Sequence, residues 1–118
     1  MRKPILLFVL VVLALAAFPA LAAGPTLTVS GPASVTIVSS CQNVVWTATA
    51  SGGVTPYSLY EWRRNGSLVG GNSTTLTLNY CTTPGQTTSF TDTISCTVTD
   101  SNGREGTGSK DTIINLQG

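Results

Sequence analysis

The chain has 118 residues, of which only 9% are charged, and its formal net charge at pH 7 is +1. Histidine is absent from the sequence, which excludes Ser-His-Asp and Cys-His catalytic arrangements and the usual zinc ligand sets. The few basic residues do not form the Lys/Arg cluster that nucleic-acid binding needs to displace counterions.

The first 22 residues have the pattern of an export signal. Arg2 and Lys3 form a basic start, residues 5–18 are an unbroken apolar run, and Ala20 and Ala22 fit the A-x-A pattern of signal-peptidase sites. The run is shorter than the about 20 residues of a transmembrane helix, although a retained membrane anchor is the alternative. We predict a signal-peptide helix at 1–22, cleaved after Ala22.

The remaining residues, 23–118, form one predicted domain that is secreted, periplasmic or displayed at the cell surface, without membrane contact after cleavage. Arg2 and Lys3 belong to the leader, which leaves four basic residues against five acidic ones, a net charge of −1. This balance predicts no nucleic-acid partner. Three cysteines in an oxidising compartment predict one disulfide and one free thiol.

From residue 27 onward the sequence is typical of short strands separated by turns. The predicted strands are 27–30, 35–38, 44–50, 57–64, 67–69, 74–80, 90–99 and 112–116. Asn65-Gly66 and Asn102-Gly103 indicate hairpin turns, because both central positions of a type I′ turn need φ > 0. With 27–30 and 35–38 counted as one strand that is broken at Gly31-Pro32, about seven strands and no helical period predict an all-β sandwich of two sheets. A small barrel is the alternative.

Alternation of polar and apolar residues also predicts which side chains face the core. Trp46 and Trp62 are expected there, and Cys96 shares the inward parity of its apolar neighbours. Asp92 has the same parity, so we expect it to lie beyond the covered part of the sheet or to be turned outward by a bulge. Tyr57 and Trp62 have opposite parities, which predicts a bulge near Leu59-Tyr60.

Three segments of the sequence resemble a known family. Residues 48–57 (ATASGGVTPY), 60–62 (YEW) and 97–103 (TVTDSNG) are similar to bacterial immunoglobulin-like and PKD-type domains. The resemblance implies a Greek-key immunoglobulin-like sandwich in which Trp62 is the core tryptophan and Cys96 is the cysteine of the sixth strand. It implies no particular function, because such modules serve many roles.

The resemblance also bears on the disulfide. The family's second-strand cysteine would fall near Thr49, whereas Cys41 lies well upstream. In the implied Greek key, Cys41 and Cys81 occupy neighbouring strand ends, which implies a Cys41–Cys81 bridge with Cys96 buried and reduced. A Cys41–Cys96 bridge follows the family pattern more literally and is the alternative.

The polar residues do not form a recognisable catalytic or metal site. Lys110 is the only lysine after the leader and lies in a Gly- and Ser-rich stretch. Asp100 and Glu105 are the only carboxylates near each other, and they flank a tight hairpin rather than a cleft. With Asn102 they could offer oxygens to calcium, but so few charges favour a turn held by side-chain hydrogen bonds. We predict no enzyme activity, no cofactor and no metal.

Loops on a rigid scaffold usually carry recognition. Loops 51–56, 70–73 and 100–103 are expected to cluster at the end of the sandwich opposite the disulfide. The candidate binding residues are Gly52, Gly53, Tyr57, Asn72, Asp100 and Asn102. Tyr57 either offers a stacking surface or forms a lid on the core.

Together these features predict a secreted, non-enzymatic module for recognition of, or adhesion to, a protein or glycan. The alternative is a structural subunit of a cell-surface assembly that pairs through β-strands. A protease inhibitor is disfavoured, because the Gly-rich loops are too pliant to enter a cleft. Neither the ligand nor the oligomeric state follows from the sequence.

Overall fold

A computed structural model describes residues 23–118, and the predicted signal peptide lies outside them. Eight strands make up the fold: β1 (Pro25–Ser30), β2 (Ser34–Val38), β3 (Cys41–Gly52), β4 (Leu59–Arg64), β5 (Ser67–Val69), β6 (Thr75–Cys81), β7 (Thr87–Thr99) and β8 (Glu105–Gln117). Across 23–118 we find no helix with the length and hydropathy needed to cross a bilayer.

The strands form two sheets that face each other. One sheet has the order β1-β3-β6 and the other has the order β2-β8-β7-β4-β5. β2 runs parallel to β8, and the other pairs are antiparallel. The chain passes from the first sheet to the second between β1 and β2, at Gly31-Pro32. The predicted all-β sandwich is therefore confirmed.

The core lies between the two sheets and contains both tryptophans, as predicted. Trp46 Nε1 donates to Thr112 Oγ1 (3.0 Å), whose own hydroxyl donates to the Pro32 carbonyl (2.7 Å). Gly31 lies so close to the Trp46 ring that a Cβ there would overlap it. The largest fully buried apolar side chains are Trp46, Trp62, Ile37, Ile94, Ile114 and Val98.

Strands β7 and β8 are longer than the sequence predicted. β8 begins at Glu105, because its Gly-rich first half crosses directly beneath β1. A Cβ at Gly106 would overlap the carbonyl oxygen of Pro25, and one at Gly108 would overlap that of Leu27. These glycines therefore permit a close approach of the two sheets rather than marking a loop.

The inward parity of Asp92 is confirmed, but the expectation that it lies beyond the covered sheet or is turned outward is wrong, and so is the predicted bulge in β4. Asp92 faces inward and is buried, and it accepts hydrogen bonds from the Tyr80 hydroxyl (2.5 Å) and Asn65 Nδ2 (2.9 Å). No bulge occurs near Leu59, because β4 begins at that residue and pairs without interruption with β7. Tyr57 precedes the strand, so the alternation of β4 does not apply to it.

Candidate recognition surface

The disulfide lies at one end of the sandwich and joins two neighbouring strands of one sheet. Cys41 on β3 and Cys81 on β6 lie directly opposite each other and are bonded, with Cα atoms 4.0 Å apart. The predicted Cys41–Cys81 pairing is confirmed and the Cys41–Cys96 alternative is wrong. Cys96 is free and buried opposite Trp62. Burial raises the pKa of its thiol to about 11, so the thiol is protonated at neutral pH.

At the other end, loops 51–56 and 100–103 are held against each other. The Ser101 backbone N–H donates to the Val54 carbonyl (2.9 Å). The Ser101 hydroxyl donates to the Pro56 carbonyl (2.7 Å). The two segments that carry the family resemblance, 48–57 and 97–103, therefore meet in space.

Asp100 is the centre of this contact between the loops. One carboxylate oxygen accepts the Val54 N–H (3.0 Å), and the other accepts the N–H groups of Asn102 and Arg104 (both 2.9 Å). Burial alone would raise the pKa of Asp100, but these backbone donors and the Arg104 charge outweigh it and lower the pKa. Asp100 shapes its own turn, as expected, and also ties that turn to loop 51–56.

Tyr57 and the two glycines border the same contact. The Tyr57 hydroxyl donates to the Gly52 carbonyl (2.8 Å). The half-buried Tyr57 ring packs edge-on against the ring of Tyr60, with ring centroids 6.4 Å apart. This arrangement makes Tyr57 a lid rather than a free stacking platform. Gly52 and Gly53 have φ of 70° and 63°, and a Cβ at Gly53 would lie 2.7 Å from a carboxylate oxygen of Asp100.

Loop 70–73 is held at this end by a separate set of hydrogen bonds. Asn72 Oδ1 accepts the Tyr60 N–H (2.8 Å), and Asn72 Nδ2 donates to the Ser58 carbonyl (3.3 Å). Ser58 in turn donates its N–H to the last residue of β7, Thr99. The third loop therefore lies beside the other two, attached to the start of β4.

Comparisons with solved structures address the fold. The chain matches the N-terminal four immunoglobulin domains of Dscam1 isoform 4.44 with a TM-score of 0.54 and 16% identity, over 79% of this chain and 21% of that one. It matches fibronectin(III)-like modules of Clostridium thermocellum CbhA with a TM-score of 0.52 and 16% identity, over 84% of this chain and 49% of that one. The chain has an immunoglobulin-like fold.

At these identities the likeness extends to the fold and no further. The immunoglobulin-like chain spans less than half the length of either structure that it matches. No protein-family profile matches it, and neither does any curated protein.

In this immunoglobulin-like sandwich four of the five acidic side chains of residues 23–118, all except Glu105, have hydrogen-bond or ion-pair partners. Glu61 accepts Arg63 on the outer face of β4 (2.7 Å), and Asp111 accepts the Thr93 hydroxyl (2.8 Å). The buried Asp92 is paired with Arg64 (2.9 Å), whose side chain is 39% exposed at the margin of the sandwich. Within 23–118 no three His, Cys, Asp or Glu side chains come together as a potential metal site.

A shallow depression between β4 and β5 was not anticipated. Its volume is about 210 Å³, and Leu59, Leu68 and Asn72 are among its lining residues. Leu59 and Leu68 are 41% and 66% exposed. The exposure of Leu59 could have been predicted from the sequence, because Leu59 has the parity opposite to that of the buried Trp62 and therefore points outward.

Proposed function

We propose that the chain is an exported, non-enzymatic immunoglobulin-like module that recognises a protein or glycan through its loop end. One observation carries this proposal: a buried Asp100 locks loops 51–56 and 100–103 into one surface. A surface fixed before binding loses little conformational entropy when a partner docks, which favours affinity. Val54 and Asn102 remain exposed on it.

The candidate residues divide into two groups on this surface. Asp100, Asn72 and Tyr57 hold the loops in place through their own hydrogen bonds. Gly52, Gly53 and Asn102 are exposed and are available to touch a partner. Recognition therefore falls on the tips of the loops, supported by the first group from beneath.

Two features support export of the module. A disulfide persists in oxidising compartments and is rare in reducing ones. The pattern of residues 1–22 is that of a signal peptide. The finer assignment to bacterial PKD-type domains rests on the similarity of residues 48–57 and 97–103.

Non-enzymatic action is supported by the state of the reactive groups. The free thiol of Cys96 is buried, and its pKa of about 11 makes it a poor nucleophile at neutral pH. Asp92 and Asp100 are buried and fully engaged with partners within the fold.

The test compares substitutions at the two ends of the sandwich. Asn102→Arg changes the loop end, whereas Thr83→Arg changes an exposed residue at the disulfide end. The mature protein and both variants are applied to a glycan array and to isolated surface proteins of the native host. We expect Asn102→Arg to abolish retention and Thr83→Arg to preserve it. Equal retention by both variants would place recognition elsewhere.

The second candidate is a structural subunit that assembles through strand pairing. The edge position of β6 in the sheet β1-β3-β6 favours it. Sedimentation velocity of the mature protein separates the two functions. A monomer at every concentration contradicts assembly, and concentration-dependent oligomers support it.

A further inference from the structure

Strand β6 is an open edge of its sheet. It spans seven residues, whereas the other edge strands, β1, β2 and β5, span six, five and three. Within residues 23–118 no strand pairs with the side of β6 that faces away from β3. An edge of this length presents a row of backbone donors and acceptors to another chain, of which the Thr75 N–H already donates to Ser73 Oγ (3.2 Å).

The hydrogen-bond register shows which backbone groups point outward. Thr82 donates its N–H to Ser40, and Thr74 accepts the N–H of Ala48. The even-numbered residues of β6 therefore bond to β3, because bonded and non-bonded pairs alternate along an antiparallel ladder. The N–H and C=O groups of Thr77 and Asn79 consequently point away from β3, toward the open edge.

This edge lacks the devices that usually prevent strand pairing. β6 has the sequence TLTLNYC, which contains no charged residue and no proline. The neighbouring strand β3 also lacks both. Lysine, proline and inward charges are the common protections of an exposed edge. Two identical uncharged edges can meet without like-charge repulsion.

The side chains of β6 single out its midpoint. Leu76 and Tyr80 are buried in the core, at 3% and 5% exposure, whereas Leu78 is only half-buried at the sheet margin. Leu78 is also the fourth of the seven residues. A partner strand centred there would cover the one inward side chain that the fold leaves partly open.

We propose that β6 pairs antiparallel with β6 of a second copy, about a twofold axis at Leu78. In this register Thr77 faces Asn79 of the second copy, and the two residues exchange both backbone hydrogen bonds. Symmetry repeats the exchange, and the two Leu78 side chains meet on the axis. Axes at neighbouring residues shorten the overlap, whereas this one pairs all seven. The proposal rests on the second candidate function and names its strand, partner and register.

Such an interface is small, so the dimer is weak and depends on concentration. Its geometry nevertheless makes a specific cross-link available. Facing residues of a non-hydrogen-bonded pair have Cα atoms about 4.5 Å apart, close to the 4.0 Å across Cys41 and Cys81. A cysteine at position 78 would face its own copy at this distance.

The first experiment uses Leu78→Cys in the mature protein, oxidised under mild conditions and analysed by non-reducing electrophoresis and peptide mapping. The matched control is Thr49→Cys, an exposed residue on the central strand β3. We expect a covalent dimer linked through position 78 and no dimer from the control. Equal dimer yields from the two variants would contradict the register.

The second experiment removes one outward N–H. Thr77→Pro deletes a donor that β3 does not use, and proline is tolerated on such an edge position. Thr77→Val keeps the donor and is the control. We expect sedimentation velocity to show loss of the dimer in Thr77→Pro and its retention in Thr77→Val. If Thr77→Pro does not fold, as judged by circular dichroism, the cysteine pair decides the question.

The results of the two experiments distinguish the β6 dimer from assembly through another strand. Oligomers that survive Thr77→Pro and fail to cross-link at position 78 would overturn the β6 dimer while leaving assembly by another edge. A monomer at every concentration would overturn both the dimer and the second candidate. Neither result bears on recognition by the loop end.

Discussion

Asp92 is a carboxylate buried in a small core, and three neighbouring side chains compensate for its burial. Its carboxylate accepts the Tyr80 hydroxyl and the Asn65 amide, and the guanidinium of Arg64 lies 2.9 Å away. The same guanidinium stacks over the Tyr80 ring at 5.2 Å. A charge buried without such partners would cost several kcal/mol. The cluster therefore makes an inward Asp92 tolerable.

Tyr80→Phe tests this cluster with a minimal change. Burial and the hydrogen bond to Asp92 hold the pKa of Tyr80 above its usual range, so the phenol is a neutral donor to a carboxylate. Hydrogen bonds to charged groups contribute about 1.5–3 kcal/mol, and we expect Tyr80→Phe to lower the free energy of unfolding by that amount. The measurement is urea denaturation. Tyr57→Phe removes an exposed hydrogen bond between two neutral groups, to the Gly52 carbonyl, and should cost only about 0.5 kcal/mol. Equal losses would contradict the argument.

Asp100 predicts an acid dependence of stability. Its pKa is lower in the native state than the value of about 3.9 in an unfolded chain. The ionised carboxylate therefore favours the folded state above about pH 4, and this contribution is lost as pH falls through the native pKa.

The comparison is between wild type and Asp100→Asn in chemical denaturation over a range of acidic pH. We expect the free energy of unfolding to fall less steeply with acidification in Asp100→Asn. Asp111→Asn, which removes a carboxylate of the same charge on the exposed face of β8, is the matched control. A wild-type slope in Asp100→Asn would exclude the buried carboxylate as its source.

Among the strands, β8 depends most directly on its glycines. Gly106→Ala or Gly108→Ala would drive a methyl group into the backbone of β1, and overpacking of this kind costs about 1–3 kcal/mol. Gly71→Ala is the control, since nothing lies within 4 Å of a Cβ there. Urea denaturation of the three variants is the measurement. A loss in Gly71→Ala as large as in the β8 variants would contradict the role of close approach.

The strands also show what alternation can and cannot predict. It placed Trp46, Trp62 and Cys96 correctly in the core, because a period of two is a local property of each strand. It placed the start of β8 at residue 112 instead of Glu105. Gly106 and Gly108 look like loop residues until β1 is known to cross them. The partners of Asp92 were likewise beyond its reach, since Tyr80 and Asn65 come from two other parts of the chain.

At the scale of the whole molecule, the two ends of the sandwich are stabilised by different contacts. The disulfide fastens β3 to β6 at one end, and the hydrogen bonds of Asp100 fasten two loops at the other. The sequence predicted both the bridge and the opposite position of loops 51–56 and 100–103. It did not predict that Asp100 joins those loops, because the Val54 N–H is 46 residues away in the chain.

Removal of the disulfide should weaken the fold without changing it. The bridge joins residues 40 positions apart, and closing a loop of that length stabilises by about 4 kcal/mol through the entropy of the unfolded chain. The core around Trp46 and Trp62 lies between the sheets and does not depend on the bridge. We therefore expect Cys41→Ser/Cys81→Ser to unfold cooperatively at a lower urea concentration.

The near-ultraviolet circular dichroism of the two buried tryptophans reports on the same variant before denaturant is added. We expect it to match wild type, because Trp46 keeps its bond to Thr112 and Trp62 keeps its bond to Ser73. The control is Cys96→Ser, which replaces the free cysteine and leaves the Cys41–Cys81 bridge intact. If the double variant lost the tryptophan signal, the disulfide would hold the two sheets together as well as the edge of one. In that case the core would depend on the bridge for its packing.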